Sequence, residues 1–225
     1  VVFALDRAGL VANDGPTHHG VFDLSYLREM PNMTLMAPKD EDEFKNMLYS
    51  AVQYQRPVAV RYPKRSSMRT PLSTGYCLLE RGKGEVLRQG SQVALIAIGS
   101  MVKPALEAAE SLDREGINCT VVNARFVKPL DEALILKVAA THQCLVTVEE
   151  NVVAGGFGAA VAELLISREI SGVDLKILGI PDEFIPQGTN EILLRNCGLD
   201  SAGITKTIIE LKLATEKKGA LIGNG

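Results

Sequence analysis

Short runs rich in apolar residues recur along this chain, at 1–5, 34–37, 57–62, 93–98, 118–123, 143–149 and 173–178. Runs of this length bounded by turn residues predict strands. The unbroken run 93–98 predicts a strand buried on both faces, as in a parallel sheet. Between the runs, apolar residues return at helical spacing. Phe44, Met47, Leu48, Ala51 and Val52 mark one face of a helix that ends near Tyr54. Asp40 is its expected N-cap, and Glu43, three residues on, gives a capping-box-like pattern. Ala105, Leu106, Ala109 and Leu112 mark a second helix over 103–115, with Pro104 in its first turn and Gly116 closing it. Further helices are expected at 24–29, 129–140, 157–167, 190–196 and 201–213. The alternation of strand and helix predicts an α/β fold with right-handed parallel crossovers, doubly wound in its second part. Residues 66–90 are rich in Ser, Thr, Pro, Arg and Gly and read as a linker between units at 1–65 and 91–225. Two short segments in or beside it, 75–79 and 84–87, are expected to pair as small strands.

The stretch from Asp6 to Asp23 interrupts this rhythm. It is dense in Gly, Asn, Asp and Pro, so the backbone must turn sharply. Arg7, Asp14, His18, His19 and Asp23 all fall within it. A polar loop after a strand of an open α/β sheet is where such folds place ligands. Turn chemistry alone requires neither an arginine nor two histidines, whereas a phosphate or carboxylate site uses both. Arg61-Tyr62-Pro63-Lys64-Arg65 closes the strand at 57–62 and forms a second basic group, expected at the same sheet edge. Competing structural readings stay open. Arg7 can pair with Asp6, Asp14 or Asp23, Asp14 can cap its own turn at Gly15, and Lys64 and Arg65 can be a solvated charge run.

Composition narrows the function classes. The chain has 225 residues, 46% hydrophobic and 23% charged, with a net charge of −3. No strongly basic block points to nucleic acid. The longest apolar runs are too short to span a bilayer. The first residues lack the basic leader of a signal peptide. Cys77, Cys119, Cys144 and Cys197 are scattered without a C-x-x-C pair. They read as reduced, mostly buried thiols in a cytoplasmic chain, not a zinc site or a disulfide frame. Glu149-Glu150-Asn151 followed by Gly155-Gly156-Phe157-Gly158 has the outline of a strand, a glycine turn and a helix. The spacing is not G-x-G-x-x-G and no P-loop lysine follows. These glycines are read as allowing close helix packing, with contact between subunits left open.

The residues 6–23 resemble the loop D-R-A-G-x-V-x-x-D-G-x-T-H-x-G-x-F-D of the 1-deoxy-D-xylulose-5-phosphate synthase family, thiamine-diphosphate enzymes of the transketolase group. The resemblance continues through Leu24-Ser25-Tyr26-Leu27-Arg28, Pro31-Asn32-Met33 and Ala37-Pro38-Lys39-Asp40, and more loosely along the rest of the chain. It implies a truncated pyrimidine-binding-type α/β domain followed by a transketolase C-terminal-type domain. It implies condensation of pyruvate with glyceraldehyde 3-phosphate with loss of CO2, by a homodimer using thiamine diphosphate and Mg²⁺. Both cofactors are expected to be held mainly by upstream portions of the enzyme. No cofactor or metal ligand is assigned within this chain, which is expected to be inactive alone. By the same resemblance His18 and Asp14 serve the substrate's polar oxygens, and Arg7 contacts the substrate phosphate. The family's R-Y-P-R-G reads Arg61-Tyr62-Pro63-Lys64-Arg65 here, so Lys64 stands for the second phosphate-binding arginine and Arg65 for the glycine. A lysine supplies a point charge without the bidentate fork. His19 falls at a position that varies in the family, and a solvent-facing role is expected for it. The alternatives are a non-catalytic assembly or regulatory module and a transketolase-like or 2-oxoacid dehydrogenase β-type subunit.

Overall fold

The computed structural model describes residues 1–12, 14–64 and 72–222. Two sheets share a continuous interior. The first contains β1 (Val2–Leu5), β2 (Thr34–Met36) and β3 (Val58–Arg61). β3 lies between the other two, parallel to both, with Val58 opposite Val2 on one side and Thr34 on the other. The connection from β2 to β3 is α2 (Glu41–Gln53). Asp40 caps this helix as expected, accepting from the Glu43 N–H at 2.7 Å. The Glu43 carboxylate reaches back one residue further than a capping box requires, to the Lys39 N–H at 2.7 Å.

The second sheet comprises β4 (Glu85–Arg88), β5 (Val93–Ala97), β6 (Cys119–Asn123), β8 (Cys144–Val152) and β9 (Asp174–Ile180). Its order is β4-β6-β5-β8-β9, parallel except for β4. The helices are α3 (Val102–Arg114), α4 (Glu132–Ala139), α5 (Phe157–Ser167), α6 (Asn190–Asn196) and α7 (Ser201–Ile222), with the short α1 (Asp23–Arg28) in the first unit. Every residue of β5 is buried, and its side chains alternate between two cores. Val93, Leu95 and Ala97 join Ala105, Ala109, Leu112, Ile204 and Ile208 on one face. Ala94 and Ile96 join Phe157, Val161 and Leu164 on the other, together with Leu24, Leu35 and Ala59 of the first unit. The mixed α/β architecture with parallel sheets is thus the one the apolar runs predict.

Two features depart from the sequence reading. Residues 84–87 do contribute a strand, β4, but it pairs antiparallel with β6. The segment 75–79 forms no strand. It is fastened along α2 instead, where the Cys77 N–H donates to Asn46 Oδ1 and the Leu79 N–H to Ser50 Oγ, both at 2.9 Å. Side-chain acceptors on the helix satisfy the backbone that a hairpin would have paired. Second, β7 (Phe126–Lys128) leaves the second sheet and joins the first, antiparallel to β2. Its Phe126 is fully buried among Met36, Met47, Ala51, Val58 and Val60. A strand from beyond the linker therefore completes the first sheet. A buried polar cluster reinforces the join: the Arg125 Nε donates to Glu43 Oε1 at 2.7 Å and Asn123 Nδ2 to the same oxygen at 2.9 Å.

Candidate active site

The loop 6–23 follows β1 at the carboxyl edge of the first sheet. Its shape is set by close backbone approach. Arg7 and Gly9 both take positive φ, 58° and 77°. The Ala8 N–H donates to Tyr62 O, and Gly9 and Gly20 exchange N–H···O bonds of 2.8 and 2.9 Å. A Cβ on Gly20 would lie 2.3 Å from Arg7 O, so a glycine is needed for the two arms of the loop to meet. Beyond them Gly15, at φ 80°, leads into a single 3-10 turn at Pro16–His18 that presents His18 to solvent.

Four of the five site residues named from sequence come together here, around Asp14. Lys64 Nζ lies 3.1 Å from Asp14 Oδ2, and Arg7 Nε lies 3.9 Å from the same oxygen. Arg7 also pairs with Asp6 at 3.1 Å. The hydrogen bond from Lys64 is the main force holding the Asp14 carboxyl below the usual carboxylate range, and the nearby His18 and Arg7 add to it. His18 shares a 3.1 Å hydrogen bond with Thr17 Oγ1 through Nδ1, which leaves its Nε2 edge exposed. The ion-pair reading of Arg7 holds, and its side chain is still 42% exposed. Arg65, the fifth, lies outside the described residues.

His19 does not face solvent as the sequence suggested. Its Nδ1 accepts the Val11 N–H at 2.9 Å, so the ring proton sits on Nε2. Nε2 is buried without a hydrogen-bond partner, beside a hollow of about 270 Å³ lined by Leu5, Asp6, Phe22, Asp23 and Tyr26 among others. The loop needed an acceptor for an inward-turned amide, and the imidazole supplies it. Arg61 likewise leaves the basic group to which sequence assigned it. It is 3% exposed and turned inward. Its Nε pairs with Asp23 Oδ1 at 2.9 Å, and its Nη2 donates to Gly20 O and Glu150 O at 2.6 and 2.7 Å.

Three residues at the end of β8 bear on the site without having been singled out for it. Glu149, Glu150 and Asn151 are each 1% exposed or less. Glu149 accepts the N–H groups of Phe157 and Gly158 at the start of α5. Burial nonetheless pushes its carboxyl up to about 7. Glu150 accepts the Leu10 N–H at 2.9 Å and the Ser100 hydroxyl at 2.7 Å. Asn151 Oδ1 accepts from the Leu24 N–H. The signal in the sequence is a run of polar residues that continues an apolar strand. The glycines after them pack as expected: a Cβ on Gly158 would lie 2.4 Å from Ile177. No group of three or more His, Cys, Asp or Glu that could hold a metal ion occurs among the described residues. No helix among them is long and apolar enough to cross a membrane.

Comparison with known proteins places this geometry in context. Residues 1–69 match the model for the transketolase pyrimidine-binding domain, and residues 82–204 that for the transketolase C-terminal domain. The chain is 55% identical over 204 residues to 1-deoxy-D-xylulose-5-phosphate synthase 1 of Geobacter sulfurreducens, covering 91% of this chain and 32% of that protein. It is 53% identical over 208 residues to the 1-deoxy-D-xylulose-5-phosphate synthase of Syntrophus aciditrophicus, covering 92% and 32%. The chain therefore spans about a third of the length of these relatives. Among solved structures, a split-gene transketolase in an inactive β4 tetramer superposes with a TM-score of 0.80 at 31% identity, over 93% of this chain and 65% of that one. Transketolase from Campylobacter jejuni shares the fold, with a TM-score of 0.65 at 19% identity over 93% of this chain and 31% of that one.

Proposed function

A chain that belongs to the transketolase family, with that family's pyrimidine-binding and C-terminal domains, is the premise from which we propose that this protein is the C-terminal section of a 1-deoxy-D-xylulose-5-phosphate synthase. The units 1–65 and 91–225 are its two domains, and the stretch 66–90 between them also gives β4 to the second sheet. The complete enzyme is a transferase that condenses pyruvate with glyceraldehyde 3-phosphate and releases CO2, supplying precursors for isoprenoids, thiamine and pyridoxal. One observation carries the reading. Asp14 is held between Lys64 and Arg7 beside an exposed His18, in a chain 55% identical to such a synthase.

Thiamine diphosphate, when bound, supplies the electron sink for decarboxylation. The donor set fits only part of this group. On this reading Mg²⁺ and the diphosphate are held mainly by a portion of the enzyme outside this chain. The hollow beside His19 offers aromatic walls to a neutral ring, since Phe22 and Tyr26 line it. The acceptor's phosphate falls to Arg7 and Lys64, with Arg65 as a further cation. A guanidinium has five N–H donors and an ammonium three, so each keeps donors to spare while paired with Asp14. Asp14 and His18 then orient the aldehyde and hydroxyl oxygens, and His18 moves a proton at the acceptor oxygen. The enzyme works as a cytoplasmic homodimer on this reading. The self-association of the split-gene transketolase chain supports assembly, and its inactivity supports an inactive fragment.

Two measurements test the reading. In the full-length enzyme, Arg7→Ala should raise the KM for glyceraldehyde 3-phosphate at least about tenfold, since a charge-assisted bond to phosphate is worth roughly 1.5–3 kcal/mol. The KM for pyruvate should stay near the original. Equal effects on both substrates would refute the assignment, and a full-length protein without product would favour a non-catalytic assembly module. Calorimetric titration of the 225-residue chain with thiamine diphosphate should give no tight binding; a micromolar isotherm would contradict the split of cofactor contacts.

A further inference from the structure

In an open α/β sheet, ligands bind in the crevice at the carboxyl ends of the strands where the strand order reverses. In the second sheet that reversal falls at β5, which has β6 on one side and β8 on the other. The crevice is floored by Ser100 after β5 and by Glu150 on β8, whose carboxylate accepts the Ser100 hydroxyl at 2.7 Å. The site loop fills it. Leu10 and Val21 are 1% and 4% exposed, inside the core cluster of the second sheet. The Leu10 N–H donates to Glu150 Oε1 at 2.9 Å, and the Val152 N–H donates to Val21 O at 2.7 Å. Gly9 lies so close over the carboxylate that a Cβ there would stand 2.2 Å from Glu150 Cδ. The grip falls at the base of the segment 10–19, next to the Gly9–Gly20 bridge and three residues after Arg7.

We propose that Glu150, braced by Ser100, is a positioning residue that holds the Arg7–His18 loop in register for the phosphorylated acceptor, so that the second domain governs the geometry of a site built on the first. The link to the acceptor rests on the function proposed above; the grip on the loop does not. Two arms of one experiment separate them. Amide hydrogen exchange is followed in the 225-residue chain and kinetics in the full-length enzyme, for wild type, Glu150→Gln, Glu150→Ala and Ser100→Ala. Glu150→Ala should speed exchange at Leu10, Val11 and Gly20 about tenfold while β5 and β8 stay protected. Glu150→Gln keeps a carbonyl acceptor for Leu10 and should restore protection. In the enzyme, Glu150→Ala should raise the KM for glyceraldehyde 3-phosphate about tenfold without raising that for pyruvate, and Glu150→Gln should return it to near wild type. Loop exchange unchanged in Glu150→Ala overturns the proposal, as does a loosened loop with both KM values moved equally. Should Glu150→Ala unfold the chain, Ser100→Ala decides: a milder shift confined to the loop and the acceptor KM supports the proposal, and no shift overturns it. A wild-type enzyme that forms no 1-deoxy-D-xylulose 5-phosphate refutes the proposed function, and the exchange arm still decides the grip.

Discussion

Glu149 shows how one buried carboxyl sets a pH dependence. Two backbone N–H bonds favour its ionised form, but burial outweighs them and lifts it to about 7, against 4.5 for an ordinary glutamate. The folded chain thus keeps a proton that the unfolded chain releases between these values. Folding stability from this group is fully present below pH 4.5 and is lost as pH rises through 7, at no more than about 1.4 kcal/mol per pH unit. Glu149→Gln, which cannot ionise, should remove that slope. Urea unfolding at pH 5 and pH 8 would show wild type losing stability relative to the variant as pH rises; parallel behaviour would refute the assignment. Cys119 follows the same logic, its thiol lifted to about 11 by burial, but the cysteines are not mostly buried as expected: Cys77 is exposed and Cys144 and Cys197 are half-buried.

At the scale of elements, helix ends and close crossings carry the fold. Asp40 satisfies an otherwise orphaned N–H at the start of α2 and lies 2.7 Å from Lys39 Nζ. Asp40→Ala should cost about 1 kcal/mol, from loss of the cap, read as a shift in the urea midpoint at constant slope. This cap was legible in the sequence because it depends on residues three apart. The strand β7 was not. Three residues between two elements of the second unit carry no periodic signal, and only the pairing of Leu35 with Lys128 and of Met36 with Phe126 makes them a strand. The same limit explains the segment 75–79, whose acceptors lie on α2, about thirty residues upstream in sequence.

For the whole molecule, Arg61 is the bolt. It ties the loop's Gly20 and Asp23 to the second unit's Glu150 from a position 3% exposed. Removing the guanidinium takes away the cation that offsets the Asp23 carboxylate and one donor each from Gly20 O and Glu150 O in the interior. Arg61→Ala should therefore destabilise by about 3–5 kcal/mol, and Arg61→Lys should rescue little, because an ammonium on a shorter stem cannot span three acceptors. Chemical denaturation with far-UV circular dichroism checks both. A loss confined to a few tenths would place Arg61 in a solvated setting.

The alternation of strands and helices apart from β7, the cap of α2 and the chemical character of the loop 6–23 were fixed by residues close together in the chain. Apolar period, turn residues and motif spacing are local properties. The inward turn of Arg61, the hydrogen bond of His19 to Val11 and the grip of Glu150 on Leu10 were decided by tertiary structure alone. Each answers a demand that arises only when distant segments meet: a buried amide or carboxylate must find a partner wherever the fold happens to place one.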